Sequence, residues 1–172
     1  MTSALYLSIW LALIALLGAE VGRVRDRRTV ATTHWAIVCS IVGVVLAGLH
    51  TLLALGGVYG WDHARAVAVT AERAASLYGV VWPGSLYVNY VFLAWWLLDT
   101  IWWWRAPASF VRRPRPIEWA WRITVFTMVI NGAVIFSSPA GRFVGVPLVA
   151  SFLLVWSSTV RRPSNRPSIP QG

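Results

Sequence analysis

The chain has 172 residues, of which 58% are hydrophobic and 12% are charged, about half the charged share of a soluble domain (about 25%). This composition excludes an ordinary soluble domain and predicts an integral membrane protein with a single domain. The net charge of +9 comes from fifteen arginines that lie in short segments between apolar runs, which argues against a nucleic-acid partner.

Two apolar runs open the chain and predict two membrane-spanning helices. Residues 4–21 form the first span, and because no basic residue precedes it, we expect a retained anchor rather than a cleaved signal peptide. Residues 34–57 form the second span, and these 24 residues are enough to cross a hydrocarbon core of about 30 Å with some tilt. The single cysteine, Cys39, lies inside this run, so an intrachain disulfide bond is excluded.

The segment over residues 58–79 differs from its neighbours because charged residues are mixed with alanine and valine. Asp62 is a suitable N-cap for a short helix over residues 63–77. An apolar stripe at helical spacing runs from Val67 to Tyr78 along this helix. We therefore expect an interfacial helix that lies against the bundle on the extracytoplasmic side.

Three further apolar runs complete the predicted bundle. They cover residues 85–104, 119–137 and 143–160, and a basic, proline-containing loop separates the first two of them. The fold class is then an all-α integral membrane protein, a bundle of five transmembrane helices plus one short extracytoplasmic interfacial helix, over residues 1–160. Residues 161–172 contain three prolines and almost no core-forming side chains, which predicts a disordered cytoplasmic tail.

Arginine counts predict how the chain is oriented. With the N-terminus outside and five spans, the inner segments hold eleven arginines and the outer segments hold three, which is a positive-inside bias. The C-terminus is then cytoplasmic, and we expect the inner arginines to contact anionic headgroups. Arginine without lysine is typical of a GC-rich bacterial genome, so the predicted location is a bacterial cytoplasmic (inner) membrane. Tryptophans are expected at the inner headgroup level (Trp35, Trp102, Trp103, Trp104, Trp119 and Trp121) and at the outer level (Trp61 and Trp82).

Asp99 is the first candidate for a functional role, because an ionisable group inside the membrane is costly. It lies in the third span on a polar and aromatic stripe that includes Trp96 and Trp103. Arg122, in the fourth span, lies at a similar depth, so we predict a structural Asp99–Arg122 ion pair. A proton-carrying or ligand-binding Asp99 is the alternative, and Glu118 is an alternative partner for Arg122, one helical turn away.

His50 is the second candidate and lies in the outer half of the second span on a stripe of small residues. Asn89 and Asn131 lie at comparable depths in the third and fourth spans. These three side chains are predicted to form one buried polar cluster with interhelical hydrogen bonds. The alternative is that His50 is a ligand of haem or a transition metal, since imidazole binds both.

The sequence is also compatible with a metal site formed by His50, Asp62 and His63, if the short helix folds back over the second span. A site formed by His63 and Glu72 is excluded because nine residues place them about 180° apart around a regular helix. His63 has a simpler interpretation as an exposed residue at the start of its helix.

The sequence contains no recognisable catalytic or nucleotide-binding motif, which favours a non-enzymatic protein over an enzyme. We interpret the chain as a small polytopic subunit, scaffold or accessory factor of a membrane complex, with other membrane proteins as partners. One alternative is a redox protein that holds haem or a metal through His50 and His63. Another is a small transporter or channel component that uses Asp99 and Asn131.

Overall fold

The structure, a computed structural model, describes residues 2–29, 33–135 and 137–158. Every regular element in these ranges is a helix, which confirms the predicted all-α class. The predicted tail, residues 161–172, lies outside the described residues. The helices are α1 (Thr2–Thr29), α2 (His34–Gly57), α3 (His63–Tyr78), α4 (Ser85–Arg105), α5 (Pro107–Val111), α6 (Arg115–Ile130) with a π-helical turn (Asn131–Ile135) at its end, and α7 (Pro139–Ser157).

Three helices are long and apolar enough to cross a membrane, namely α1 from Ser3, α2 and α7. The chain is therefore a membrane protein by helix length and composition. The helix α4 is 21 residues long, but five tryptophans, two tyrosines and Asp99 lower its mean hydropathy. The helix α6 is only 16 residues long before its π-helical turn. The count of five spans consequently stays a prediction.

Helices α1 and α2 form an antiparallel pair along most of their length. At one end Gly22 of α1 lies directly against Ala36 of α2, where a glycine allows the two backbones to approach. At the other end the Nδ1 of His50 donates to the carbonyl oxygen of Leu5 at 3.0 Å. This pair forms the frame on which the remaining helices pack.

Side-chain contacts give the directions of α4, α6 and α7 relative to α1. Trp103 near the end of α4 contacts Asp26 near the end of α1, so α4 runs parallel to α1. Trp156 near the end of α7 and Trp121 near the start of α6 both reach Glu20 of α1. Helices α1, α4 and α7 therefore end, and α2 and α6 begin, at the same end of the bundle, which we call the basic end.

The core of the bundle is aromatic and aliphatic, and its outward surface is also apolar. Outward residues include Val45 (64% exposed), Leu98 (65%) and Leu154 (70%). Exposed apolar side chains on helices of this length suit a lipid environment. The buried core residues of the larger cluster are Leu13, Leu16, Val24, Val44, Phe92, Trp96, Trp121, Val125, Val129, Ala133, Leu148, Phe152 and Trp156.

Helix α3 packs on α4 at the end opposite to the basic end; it begins at His63, where the predicted helix begins, and ends at Tyr78, one residue beyond the predicted end. The carboxylate of Asp62 accepts from the backbone amide of Arg65 at 2.9 Å, which is the expected N-cap. Ala71 and Ala74 of the predicted stripe are buried. Gly79, with a positive φ of 73°, ends the helix and turns the chain toward α4.

Two helices extend beyond the predicted apolar runs that they contain. The first helix does not end near residue 21 but continues to Thr29, because the polar side chains of its last turns find partners on other helices. The helix α7 begins at Pro139, four residues before the predicted run that starts at residue 143. There the hydroxyl of Ser138 accepts from the amide of Gly141 at 3.2 Å and caps the helix.

Candidate functional site

Four of the six acidic residues of the chain are buried inside the basic end of the bundle. Two of them lie on α1, one on α4 and one on α6, and four arginines lie among them. We call these eight side chains the charge network: Glu20, Arg23, Asp26, Arg27, Asp99, Arg113, Glu118 and Arg122.

Asp99 stands between two arginines from different parts of the chain. Its Oδ1 accepts from Nη1 of Arg113 at 2.5 Å, and its Oδ2 lies 2.6 Å from Nη1 of Arg23. All three side chains are almost completely buried, with 0% to 1% exposure. An ionised carboxylate in such surroundings would be costly alone, so the two guanidinium groups provide the compensating charge.

Glu118 is the second centre of the network and contacts three arginines. Nε of Arg113 and Nε of Arg122 each donate to it at 2.8 Å, and Nη2 of Arg27 lies 2.8 Å from its Oε2. The contact with Arg122 is a one-turn pair within α6, whereas Arg27 comes from α1. This carboxylate thus joins α1 to α6 and to the segment before it.

Glu20 holds two tryptophans and one arginine at the middle of the network. The indole Nε1 groups of Trp121 and Trp156 donate to its two carboxylate oxygens, each at 2.8 Å. Nε of Arg23 lies 3.0 Å from Oε1 of the same carboxylate. Because Trp121 belongs to α6 and Trp156 to α7, one acidic side chain of α1 connects three helices.

Aromatic rings surround the buried guanidinium group of Arg23. The carbon Cζ lies 4.6 Å from the ring centroid of Trp121, 4.9 Å from that of Phe110 and 5.2 Å from that of Trp103. A cation over an aromatic face is favourable, more so when both groups are withdrawn from water. Trp103 in turn donates from Nε1 to Asp26 at 3.1 Å, so the aromatic and acidic groups are linked.

Helix α5 closes the basic end by folding back onto the bundle. Pro107 occupies its first turn, where the missing amide donor costs least. Phe110 is buried and stacks on the ring of Trp103, with the centroids 5.1 Å apart. Arg113 follows α5 and is carried inside, so part of the predicted basic loop is a buried structural element rather than a solvated connection.

The charges of the network balance, with four arginines against four carboxylates. The exposed arginines at the basic end do not belong to the charge network. The buried interior of this end is therefore neutral, and its exposed edge, which we call the rim, is positive. Such an arrangement holds several helix ends in one fixed position because moving any one element would separate buried opposite charges. The rim arginines are Arg25, Arg28, Arg105, Arg112 and Arg115.

The structure places both members of the predicted Asp99–Arg122 pair in the network but gives them different partners. Asp99 contacts Arg23 and Arg113, while Arg122 donates to Glu118, the alternative partner that the sequence offered. Asp99 and Arg122 are thus connected through Arg113 and Glu118. The buried arginines of α1 and of the loop take the positions next to Asp99.

The three residues of the predicted buried polar cluster do not meet. Asn89 is exposed on α4, His50 contacts α1, and the side-chain oxygen of Asn131 accepts from the hydroxyl of Tyr78 at 2.6 Å. The correction follows from helix rotation, since the face of α4 that packs inward carries Phe92 and larger aromatic residues instead of Asn89.

The residues of the hypothetical metal site are also separate. His63 lies beside Tyr87 and Tyr90, with ring centroids 5.7 and 6.0 Å away, and Asp62 caps α3. Over the described ranges, no three His, Cys, Asp or Glu side chains are grouped so that they could hold a metal ion. His50 remains on α2, where its Nδ1 is already bonded to Leu5.

Sequence reasoning missed Glu20 and Asp26 and treated Arg23 as part of a solvated connection. The available signal was the spacing of Glu20, Arg23 and Arg27, which places the three on one helical face. Two tryptophans assigned to the headgroup region, Trp103 and Trp121, are fully buried against this face.

No protein-family model, curated protein or solved structure matches this chain.

Proposed function

We propose that this chain is a five-span protein of a bacterial inner membrane that serves as a non-enzymatic subunit or accessory factor of a membrane complex. The charge network carries this proposal. Each of its carboxylates is paired with arginines of the network or with tryptophan indoles, which is what a rigid structural element requires.

The alternating directions of the helices support five spans. Helices α4 and α6 run alongside α1, α2 and α7, and their inner ends meet the same charge network. Because the end of α2 and the start of α7 lie at the same end of the bundle, the chain between them crosses the membrane either twice or not at all. Packing of α4 and α6 beside the apolar helices favours two crossings.

The rim of the basic end supports a cytoplasmic location for that end. Exposed arginines there stand beside the exposed tryptophans Trp35, Trp104 and Trp119. Arginine and tryptophan at one membrane boundary are typical of the cytoplasmic headgroup region. The N-terminus is then outside, and the predicted partners at the rim are anionic lipid headgroups.

Helix α3 offers the surface for a protein partner outside the membrane core. Its buried face packs on α4, while Arg65, Val69, Glu72 and Ser76 point away from the bundle at helical spacing. A mixed polar and apolar surface on a short helix is suited to a protein contact rather than to deep insertion in lipid.

Site-specific photo-crosslinking tests the proposed partner. A photoreactive residue at Val69 of α3 should give one discrete adduct in intact membranes, and the same protein should co-purify in a gentle detergent. The matched control is the same residue at Leu98, which is even more exposed (65% against 38% for Val69) but lies on the outward apolar surface of α4. The variant V69R should abolish both the adduct and the co-purification without lowering the yield of folded protein. A monodisperse monomer with no adduct at Val69 would refute the proposal.

The alternative functions have their own tests on the same purified protein. Bound haem or metal would appear in the visible spectrum and in metal analysis, and the variant H50A should remove it. Transport would appear as flux in proteoliposomes that N131A abolishes while the protein stays folded.

A further inference from the structure

A shallow groove of about 210 Å³ runs between α2 and α4 on the outward side of the bundle. Its only hydroxyl, that of Thr100, is turned inward and lies 2.7 Å from the hydroxyl of Ser40. The groove is therefore apolar along its length. The remaining lining residues are Ile41, Val44 and Val45 on α2 and Leu97, Ile101 and Trp104 on α4.

The groove ends at a positive charge on the α4 side. Leu97, Ile101 and Arg105 follow one another at four-residue steps, so Arg105 continues the wall of the groove toward the basic end. Its guanidinium carbon lies 5.4 Å from the ring centroid of Trp104, which itself lines the groove. Within the described residues no salt bridge involves Arg105, in contrast to the arginines of the charge network.

The α2 side of the groove ends in groups that also favour an anion. His34, Val38, Ile41 and Val45 share one helical stripe, and His34 is the first residue of α2. The side chain of the N-cap residue Thr33 makes no capping hydrogen bond, so the amides of His34 and Trp35, which precede the bonded amide of Ala36, retain their donors. Because α2 and α4 are antiparallel here, these donors and Arg105 lie at the same end.

We propose that this groove binds one anionic phospholipid, with an acyl chain along the apolar walls and the phosphate beside Arg105 and Trp104. An acyl chain suits the groove because it is shallow, apolar and continuous with the lipid-facing surface. The basic residue at one end supplies the charge complementarity that a phosphate needs, as in basic sites between transmembrane helices. The inference goes beyond the proposed function, since it requires only that the chain is embedded in a membrane.

Native mass spectrometry of the full chain in detergent tests the headgroup part of the proposal. Phosphatidylglycerol and phosphatidylcholine with identical acyl chains are added separately at equal concentration. We expect one phosphatidylglycerol per chain to be retained several-fold more than phosphatidylcholine. R105Q should reduce that retention several-fold, whereas R25Q, which removes another exposed arginine of the rim, should leave it unchanged. Equal retention of the two lipids, or equal effects of R105Q and R25Q, would overturn the proposal.

Variants of the apolar wall test the position of the acyl chain. I101W fills the groove next to Arg105 and should reduce retention of phosphatidylglycerol as strongly as R105Q does. L98W is the matched control, since Leu98 is exposed on α4 but does not line the groove. Glycerol phosphate without acyl chains should neither be retained nor compete, and competition would mean a free-anion site instead. A dimer that I101W dissociates and that retains no lipid would show that a second copy occupies the groove.

Discussion

Arg113 donates from Nη1 to Oδ1 of Asp99 at 2.5 Å and so joins the segment before α6 to the inner part of α4. The two residues are fourteen positions apart, and the intervening chain folds back through α5. The same carboxylate is held from the other side by Arg23 of α1. Asp99 therefore connects three segments of the chain, and its charge should matter more for stability than that of any exposed acid.

Removal of the charge of Asp99 should destabilise the bundle strongly. D99N removes the carboxylate that Arg23 and Arg113 share and leaves the buried network with one excess positive charge, and breaking a buried pair in this way costs roughly 3–5 kcal/mol. The free energy of unfolding in mixed detergent micelles measures the loss. E72Q is the control, because Glu72 is exposed on α3 and its charge is solvated. Equal stability of D99N and E72Q would contradict a structural role for this carboxylate.

A double-mutant cycle should show that Asp99 and Arg113 act together. The variant R113Q alone leaves Asp99 and Glu118 short of positive charge, whereas the double variant D99N/R113Q removes both members of the buried pair. We expect the double variant to lose clearly less stability than the sum of the two single losses. Additive losses would mean that the two side chains are not coupled.

The indole of Trp121 should contribute through its hydrogen bond with Glu20. W121F keeps an aromatic ring but removes the donor that lies 2.8 Å from Oε1, and a hydrogen bond to a charged group is worth roughly 1.5–3 kcal/mol. W119F is a close control, since Trp119 is 59% exposed and lies two residues away on the same helix. The unfolding free energy should fall for W121F alone, and a similar change in both variants would refute this interpretation.

Close contact between α1 and α2 should make Gly22 sensitive to a single methyl group. A Cβ at this position would lie 1.9 Å from the Cβ of Ala36, so G22A should force the helices apart at a cost of roughly 1–3 kcal/mol. At Gly48 of α2 a Cβ would meet nothing within 4 Å, so G48A should be tolerated. Thermal unfolding in detergent compares the two variants, and a stable G22A protein would contradict the packing.

Cysteine labelling separates five spans from three. In a C39S background, A108C places a thiol on α5 at the basic end and S76C places one on α3. With five spans and a cytoplasmic basic end, a membrane-impermeant maleimide should label S76C in intact cells and A108C only after permeabilisation. If only α1, α2 and α7 crossed the membrane, both positions would be labelled in intact cells.

The sequence predicted helix boundaries well where the residues that set a boundary lie within a few positions of it. The boundaries of α2, α3 and α4 follow from apolar runs, a capping aspartate at Asp62 and glycines at the ends, which act over a few residues. The helix α1 extends beyond the predicted first span because its last turns are polar and find partners on other helices. Helix α5 was missed because five residues are too few to produce a periodic signal.

The sequence by itself determined that this chain belongs in a membrane. The reason is that the apolar composition and the length of a helix favour lipid over water whatever the helix packs against. It also indicated that Asp99 and Arg122, as ionisable residues in apolar runs, need partners of opposite charge. Only the tertiary structure decided which carboxylate meets which arginine. The physical reason is that the partners of Asp99 come from residues 23 and 113, and their approach depends on the rotation of α1 and on the return of α5 into the bundle.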